Sequence, residues 1–161
     1  MSRISNLYRV QDIDLKMERC RKRLEEIQRL LEDNQQLRKL RGDADAAEEE
    51  LAEARRKQAA AEHEVTMQRQ KIAGAERKLY SGTVKNPKEL QDIQNESAAL
   101  KRHLIILEDR QLESMIAVEE AEKIHLVASE ELEKEEIRSS ASQRSMLQEQ
   151  KQLEQDLEKL E

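Results

Sequence analysis

Histidine is the side chain best suited to exchanging a proton near neutral pH or ligating a transition metal, and this sequence holds three: His63, His103 and His125. Folding the chain back about its midpoint sets residue i near residue 166 minus i, an estimate from symmetry good to about a turn of helix. His63 and His103 then fall level, and with Glu62 or Glu64 they would make a weak metal site. Surface histidines on a charged helix explain the pair more simply, and His125 fits a polar interruption of an apolar seam. The rest of the catalytic vocabulary is missing: no phosphate-cradling glycine loop, no His-Glu-x-x-His and no paired cysteines. Two helices side by side also offer no concave pocket in which to shift a catalytic pKa. The sequence reads as non-enzymatic, with no catalytic, metal-binding or cofactor-binding residue expected.

Nucleic-acid binding is the second chemistry to weigh. Arg19, Arg21, Lys22 and Arg23 form a local basic cluster, and helical arms can lie against RNA. Against it stand a net charge of −6 and the absence of an aromatic set for base stacking. A solvated helix face is the plainer reading of the cluster.

The remaining candidate is a turn. Leu79-Tyr80-Ser81-Gly82-Thr83-Val84-Lys85-Asn86-Pro87-Lys88-Glu89-Leu90 holds the only proline, and Ser81 is the central residue of the 161. Gly82 suits the left-handed residue that closes a helix, and Asn86, Pro87 and Glu89 suit N-cap, N1 and N3 of the next. The stretch predicts one hairpin over 1–161: a helix over about 4–80, a loop at 81–86 and a helix over about 87–161. Its tip would present Tyr80, Lys85 and Lys88, candidate partner-binding residues on a rigid scaffold. Turning and capping the chain is the competing role for the same segment.

Composition supports that architecture. Charged residues are 40% of the chain, aromatic residues 1%, and the bulk is Leu, Glu, Gln, Lys, Arg and Ala. Few rings are available to fill a globular centre, so the fold class read here is all-α, an elongated antiparallel two-helix coiled-coil hairpin without a globular core. No stretch approaches the roughly 20 apolar residues of a membrane span, and Met1–Asn6 lacks a secretory core. A cytoplasmic location is expected, and the lone Cys20 reads as a small buried seam residue in a reducing compartment.

Val10, Ile13, Met17, Cys20, Leu24, Ile27 and Leu31 alternate spacings of three and four, as a and d positions do. The seam then slips by one residue and resumes at Leu37, Leu40, Ala44, Ala47, Leu51 and onward to Leu79, with Gly42 near the slip and a bend there as one reading. In the second arm Leu90, Ile93, Leu100, Leu104, Leu107, Val118 and Leu132 fit heptads. Ile93, Leu104, Met115, Leu126 and Ile137 also recur every eleven residues, and mixed periods predict a nearly straight rod. The pairing rule sets the small seam Ala44–Ala61 beside bulky Ile105–Val118, small against large. Residues 1–80 hold 18 Lys/Arg and 16 Asp/Glu, a net of +2, which leaves −8 for the rest. Opposite flanking charge of this kind helps to select orientation, with Glu130–Glu136 near Arg29, Arg38, Lys39 and Arg41. Ile105, Ile106, Leu112 and Ile116 widen the apolar stripe beyond a two-helix seam. They are expected to contact a protein partner or a second copy, unless they only mark the overlap of two registers.

The tip, Lys78 through Gln91, with Leu107-Glu108-Asp109 and Glu113-Ser114-Met115, resembles a bacterial nucleic-acid-binding zinc-ribbon family. Its members join a long coiled-coil hairpin to a C-terminal four-cysteine zinc ribbon. The resemblance implies a cytoplasmic adaptor or regulator whose coiled-coil scaffold binds a protein. A nucleic-acid-binding regulatory protein acting with the ribbon is the alternative it leaves open. Only the hairpin is present here: Cys20 matches no ribbon ligand, and the end at Glu161 reads as a truncation, with a member that lacks the ribbon as the alternative. Zinc is therefore expected only with a ribbon, and neither a membrane nor a small-molecule substrate is expected as a partner.

Overall fold

Strong helix formers dominate the chain, and helices are what it makes. A computed structural model describes residues 3–161; Met1 and Ser2, the start of the stretch read for a secretory core, lie outside the described residues. The order is α1 (Arg3–Glu32), α2 (Gln35–Tyr80) and α3 (Pro87–Leu160), with no strand among the described residues. The fold is all-α, and no described helix is long and apolar enough to cross a membrane. The contacts divide into two units, one of Ala44–Ala128 and one combining Met1–Asp43 with Ser129–Glu161.

In the Ala44–Ala128 unit, the second half of α2 lies antiparallel to the first half of α3. Gln68 fixes the register by donating from Nε2 to the Leu100 carbonyl at 2.9 Å. That bond and the ion pairs beside the seam bracket the register: residue i faces about 172 minus i, within two turns of the symmetry estimate. Buried Ala44, Ala47, Leu51, Val65, Gln68, Ile72 and Ala75 meet Ser97, Leu107 and Val118 along one seam. Arg55–Glu122, Arg69–Glu108 and Glu76–Lys101 ion pairs flank it at 3.3, 3.1 and 2.8 Å.

This register corrects two expectations. Covered positions on α3 run Leu90, Ile93, Ser97, Leu100, Leu104, Leu107, Gln111, Ser114, Val118, Ala121, His125 and Ala128, an unbroken alternation of three and four. The eleven-residue register fails at Met115, Leu126 and Ile137, all exposed, so the mixed period behind the straight-rod expectation is gone. The alanine seam does not meet Ile105 or Leu112 either. In the register that the ion pairs and the Gln68 bond share, Ala47 and Ala54 stand opposite His125 and Val118, so small still faces large, though not the residues expected.

In the other unit, α1 and the start of α2 lie antiparallel to the end of α3. Ile27 is fully buried, and half-buried Ile13, Met17, Leu24, Leu31 and Leu40 line the seam with Leu132, Met146, Leu153 and Leu160. Cys20 is a free thiol, half-buried in the same seam. Arg41 reaches Glu136 of the acidic run at 3.8 Å, whereas Arg38 turns back to Asp33 at 3.1 Å.

The helix expected over about 4–80 is interrupted at Asp33–Asn34. Leu31 and Leu40 are nine residues apart, and at about 100° per residue a continuous helix would put them on opposite faces. Breaking the helix between them returns both to the seam. Asn34 caps α2, its Oδ1 accepting from the Leu37 amide at 3.3 Å, while its Nδ2 donates to Ser139 Oγ at 2.6 Å. Gly42, by contrast, lies inside uninterrupted α2 with open space where a Cβ would stand. The slip is resolved eight residues before it.

Truncating Ile27 or Leu107 to alanine is expected to cost about 2–5 kcal/mol in urea unfolding followed by circular dichroism. Met115→Ala should cost less than about 0.5 kcal/mol. Equal costs at Leu107 and Met115 would restore the eleven-residue register.

Candidate interaction site

The tip is built from its caps inward. The Ser81 amide makes the last helical bond of α2, to the Arg77 carbonyl at 2.9 Å, and Gly82 then takes φ +73°. That left-handed value is the reason for glycine here, since a Cβ would meet no atom within 4 Å and suffer only backbone strain. Ser81 Oγ donates to the Lys78 carbonyl at 3.3 Å and lies 2.7 Å from Thr83 Oγ1. It also accepts from the Thr83 amide at 3.4 Å. The serine hydroxyl thereby stitches the helix end to the loop. Sequence reading gave Ser81 and Thr83 no such role; the signal was a hydroxyl on each side of the turn glycine.

On the far side Asn86 Oδ1 accepts from the Lys88 amide at 3.0 Å, and its carbonyl accepts from the Leu90 amide at 3.0 Å. Pro87 is the first residue of α3, where its missing N–H leaves no bond unmade. Glu89 sits in the first turn, favourable for the helix dipole, but does not close the reciprocal bond of a capping box among the described residues. Around these caps Tyr80, at the end of α2, is 80% exposed, Lys85 in the loop and Lys88 in the first turn of α3 are exposed, and Val84 is half-buried.

Ile105, Leu112 and Ile116 occupy a different place. They are exposed on the face of α3 turned away from the α2 seam. Ile105 lies 17 residues beyond Lys88, about 26 Å along the helix, so the structure does not join the aliphatic face to the tip.

His63 and His103 do come together, lining one shallow depression with Glu64, Lys71 and Arg110. Two cations share that depression, and no described group of three or more His, Cys, Asp or Glu is placed to hold a metal. Glu62 is not part of it.

The basic cluster is largely answered within the chain. Lys22 pairs with Glu18 at 2.9 Å, and Arg21 approaches Glu161 at 3.7 Å. Arg23 grips Glu149 through Nε at 2.8 Å and Nη2 at 3.1 Å while Nη1 reaches Glu26. The Arg23 hydrogen bond holds the Glu149 carboxyl below its ordinary value of 4.5. At the tip-proximal end, the hydrogen bond that Lys101 donates to Glu76 holds its ammonium above the ordinary 10.5. Guanidinium groups engaged this way are less free for phosphates.

A family model described as "CT398-like coiled coil hairpin domain" matches residues 10–161. No curated protein and no solved structure matches the chain.

Replacing Asn86 by alanine should cost about 0.5–2 kcal/mol through the lost cap, and Gly82→Ala about 1–2 kcal/mol through strain. Both are readable as lowered urea midpoints. The titrations have definite signs. A carboxyl depressed by folding stabilises above its unfolded value of 4.5 and loses that contribution as pH falls through the folded value. A raised lysine stabilises below 10.5 and loses it as pH rises through the folded value. The melting midpoint should therefore fall on both sides of a plateau, and Glu149→Gln should shrink the acid-side loss. An unchanged acid limb in that variant would show that the pair contributes nothing.

Proposed function

The chain belongs to the CT398-like coiled coil hairpin family, and we propose that it works as a non-enzymatic scaffold or adaptor whose capped tip engages a protein partner. The observation that carries this reading is the tip itself. Hydrogen-bonded caps on both sides hold the turn, with Lys85 exposed between them and Tyr80 and Lys88 exposed on the helix ends that flank them. An amphipathic ring beside two ammonium groups suits an apolar patch rimmed with carboxylates on a folded protein. The depression that holds His63 and His103 is shallow and shared with Lys71 and Arg110, whereas exposed loops on rigid supports often carry binding residues.

The proposal places the hairpin in a cytoplasmic, bacterial regulatory protein of the zinc-ribbon kind, supported by the wording of the tip from Tyr80 to Leu90. The residues present do not fit the metal: Cys20 is the only cysteine, and no described cluster could hold zinc. No part of the proposed function runs through zinc.

A photo-crosslinking side chain placed at Tyr80 in the native cell is expected to yield a discrete protein adduct, lost on Lys85→Glu/Lys88→Glu substitution. An adduct with nucleic acid would favour the regulatory arm instead. So would RNA or DNA binding by the purified chain at about 0.15 M salt with a steep salt dependence.

A further inference from the structure

The middle of α3 spends its large aliphatic side chains on the wrong side for a hairpin. Between Gln111 and Ala128 the seam positions are Gln111, Ser114, Val118, Ala121, His125 and Ala128, of which only Val118 is a large aliphatic. On the opposite face Ile105, Ile106, Leu112, Ile116, Leu126 and Val127 are each between 50% and 59% exposed. All belong to the Ala44–Ala128 unit and to one uninterrupted helix, so this is one continuous face about 33 Å long.

The face is nearly a palindrome centred on Ile116. Reading outward in both directions, Asp109 is balanced by Lys123, Ile106 by Leu126, and Ile105 by Val127. A two-fold axis through Ile116 would bring each residue against its mate on a second copy. Ile116 would meet itself, the aliphatic ends would meet each other, and Asp109 would face Lys123 twice. Neither Asp109 nor Lys123 has an ion-pair partner among the described residues. Self-complementarity of this sort, with charge matched under the same operator, is what an isologous dimer requires.

We infer that this face is the dimer interface of the protein: two copies pack α3 against α3, antiparallel, about an axis at Ile116. The same operator brings Glu113 opposite Glu119, a like-charge contact, and Leu112 opposite Glu120, an aliphatic against a carboxylate, and both cost binding energy. A single helix pair of this length also lies at the small end of specific interfaces. Both terms make the dimer a concentration-dependent one rather than an obligate one. The inference goes beyond the scaffold reading and is independent of what the tip binds.

Sedimentation equilibrium on the whole chain, from about 1 to 500 µM, tests it. Wild type should pass from monomer to dimer. Ile116→Glu should remain monomeric, with its helical circular dichroism unchanged because the residue is exposed. Asp109→Lys alone and Lys123→Asp alone should each weaken the dimer about tenfold or more, and the doubly swapped chain should recover it, because the pair is restored under the two-fold. A Cys20→Ser, Ile116→Cys chain should form a covalent dimer under mild oxidation, since only a residue on the axis meets its own copy. A wild-type monomer throughout the range would overturn the inference. So would a dimer that survives Ile116→Glu, or single charge reversals whose effects the double swap leaves uncorrected. Failure here leaves crosslinking at Tyr80 unaffected, so the two proposals fall separately.

Discussion

Every feature of the fold answers to one constraint: a single apolar line on α3 must stay in phase with whatever packs against it. That line alternates three and four residues without a break from Leu90 to Ser139. A two-helix arrangement has no second layer to absorb an error of phase, so corrections fall on the opposite arm. Asp33–Asn34 is such a correction. The break costs α-helical hydrogen bonds, and Asn34 offsets part of that by capping α2 and bonding Ser139. Packing there is incomplete, for a hollow of about 170 Å³ lined by Leu30, Asn34, Ser139, Ser142 and Met146 remains beside the break.

The same constraint explains why polar side chains sit in the seam. Gln68 and Ser97 are buried where Leu or Ile would be expected. Gln68 satisfies its amide on the Leu100 carbonyl, and no buried side-chain polar atom lacks a partner among the described residues. A bond of that kind fixes register more sharply than aliphatic contact does, because a slip by one layer would strand the amide. An apolar seam of alanines tolerates sliding; one glutamine in it does not.

What could be read from residues alone follows from this. The heptads of both arms, the central turn and the residue types of its caps were legible because each leaves a periodic or local mark: Leu90-Ile93, Gly82, Asn86-Pro87. The break was not, because Asp33-Asn34 carries neither glycine nor proline and its only trace is the nine-residue offset between Leu31 and Leu40. Gly42 drew attention as a conspicuous helix breaker, yet in an exposed helical position it costs only about 1 kcal/mol and bends nothing by necessity. His125 was legible as a polar interruption of the seam, whereas Gln68 was missed for the converse reason: it looks like surface until its partner carbonyl is seen. At the tip, the glycine and the N-cap were legible from propensity, whereas the Ser81–Thr83 stitch depends on hydroxyl geometry that no spacing encodes.

The misread eleven-residue repeat is the most instructive failure. Ile93, Leu104 and Leu126 do recur at that interval, but the first two belong to the seam and the third does not. Apolar periodicity reports that a face is covered, not what covers it. Where one helix must serve two faces, the two stripes interleave and imitate a longer repeat. The compositional split separates them: between Gln111 and Ala128 small and polar residues fill the seam, while isoleucine, leucine and valine fill the outer face. Large aliphatics that gain nothing from the hairpin's own seam remain a standing cost in exposed apolar area. Their concentration on one face of one helix, rather than scattered, is what distinguishes a second interface from ordinary surface leucines and isoleucines.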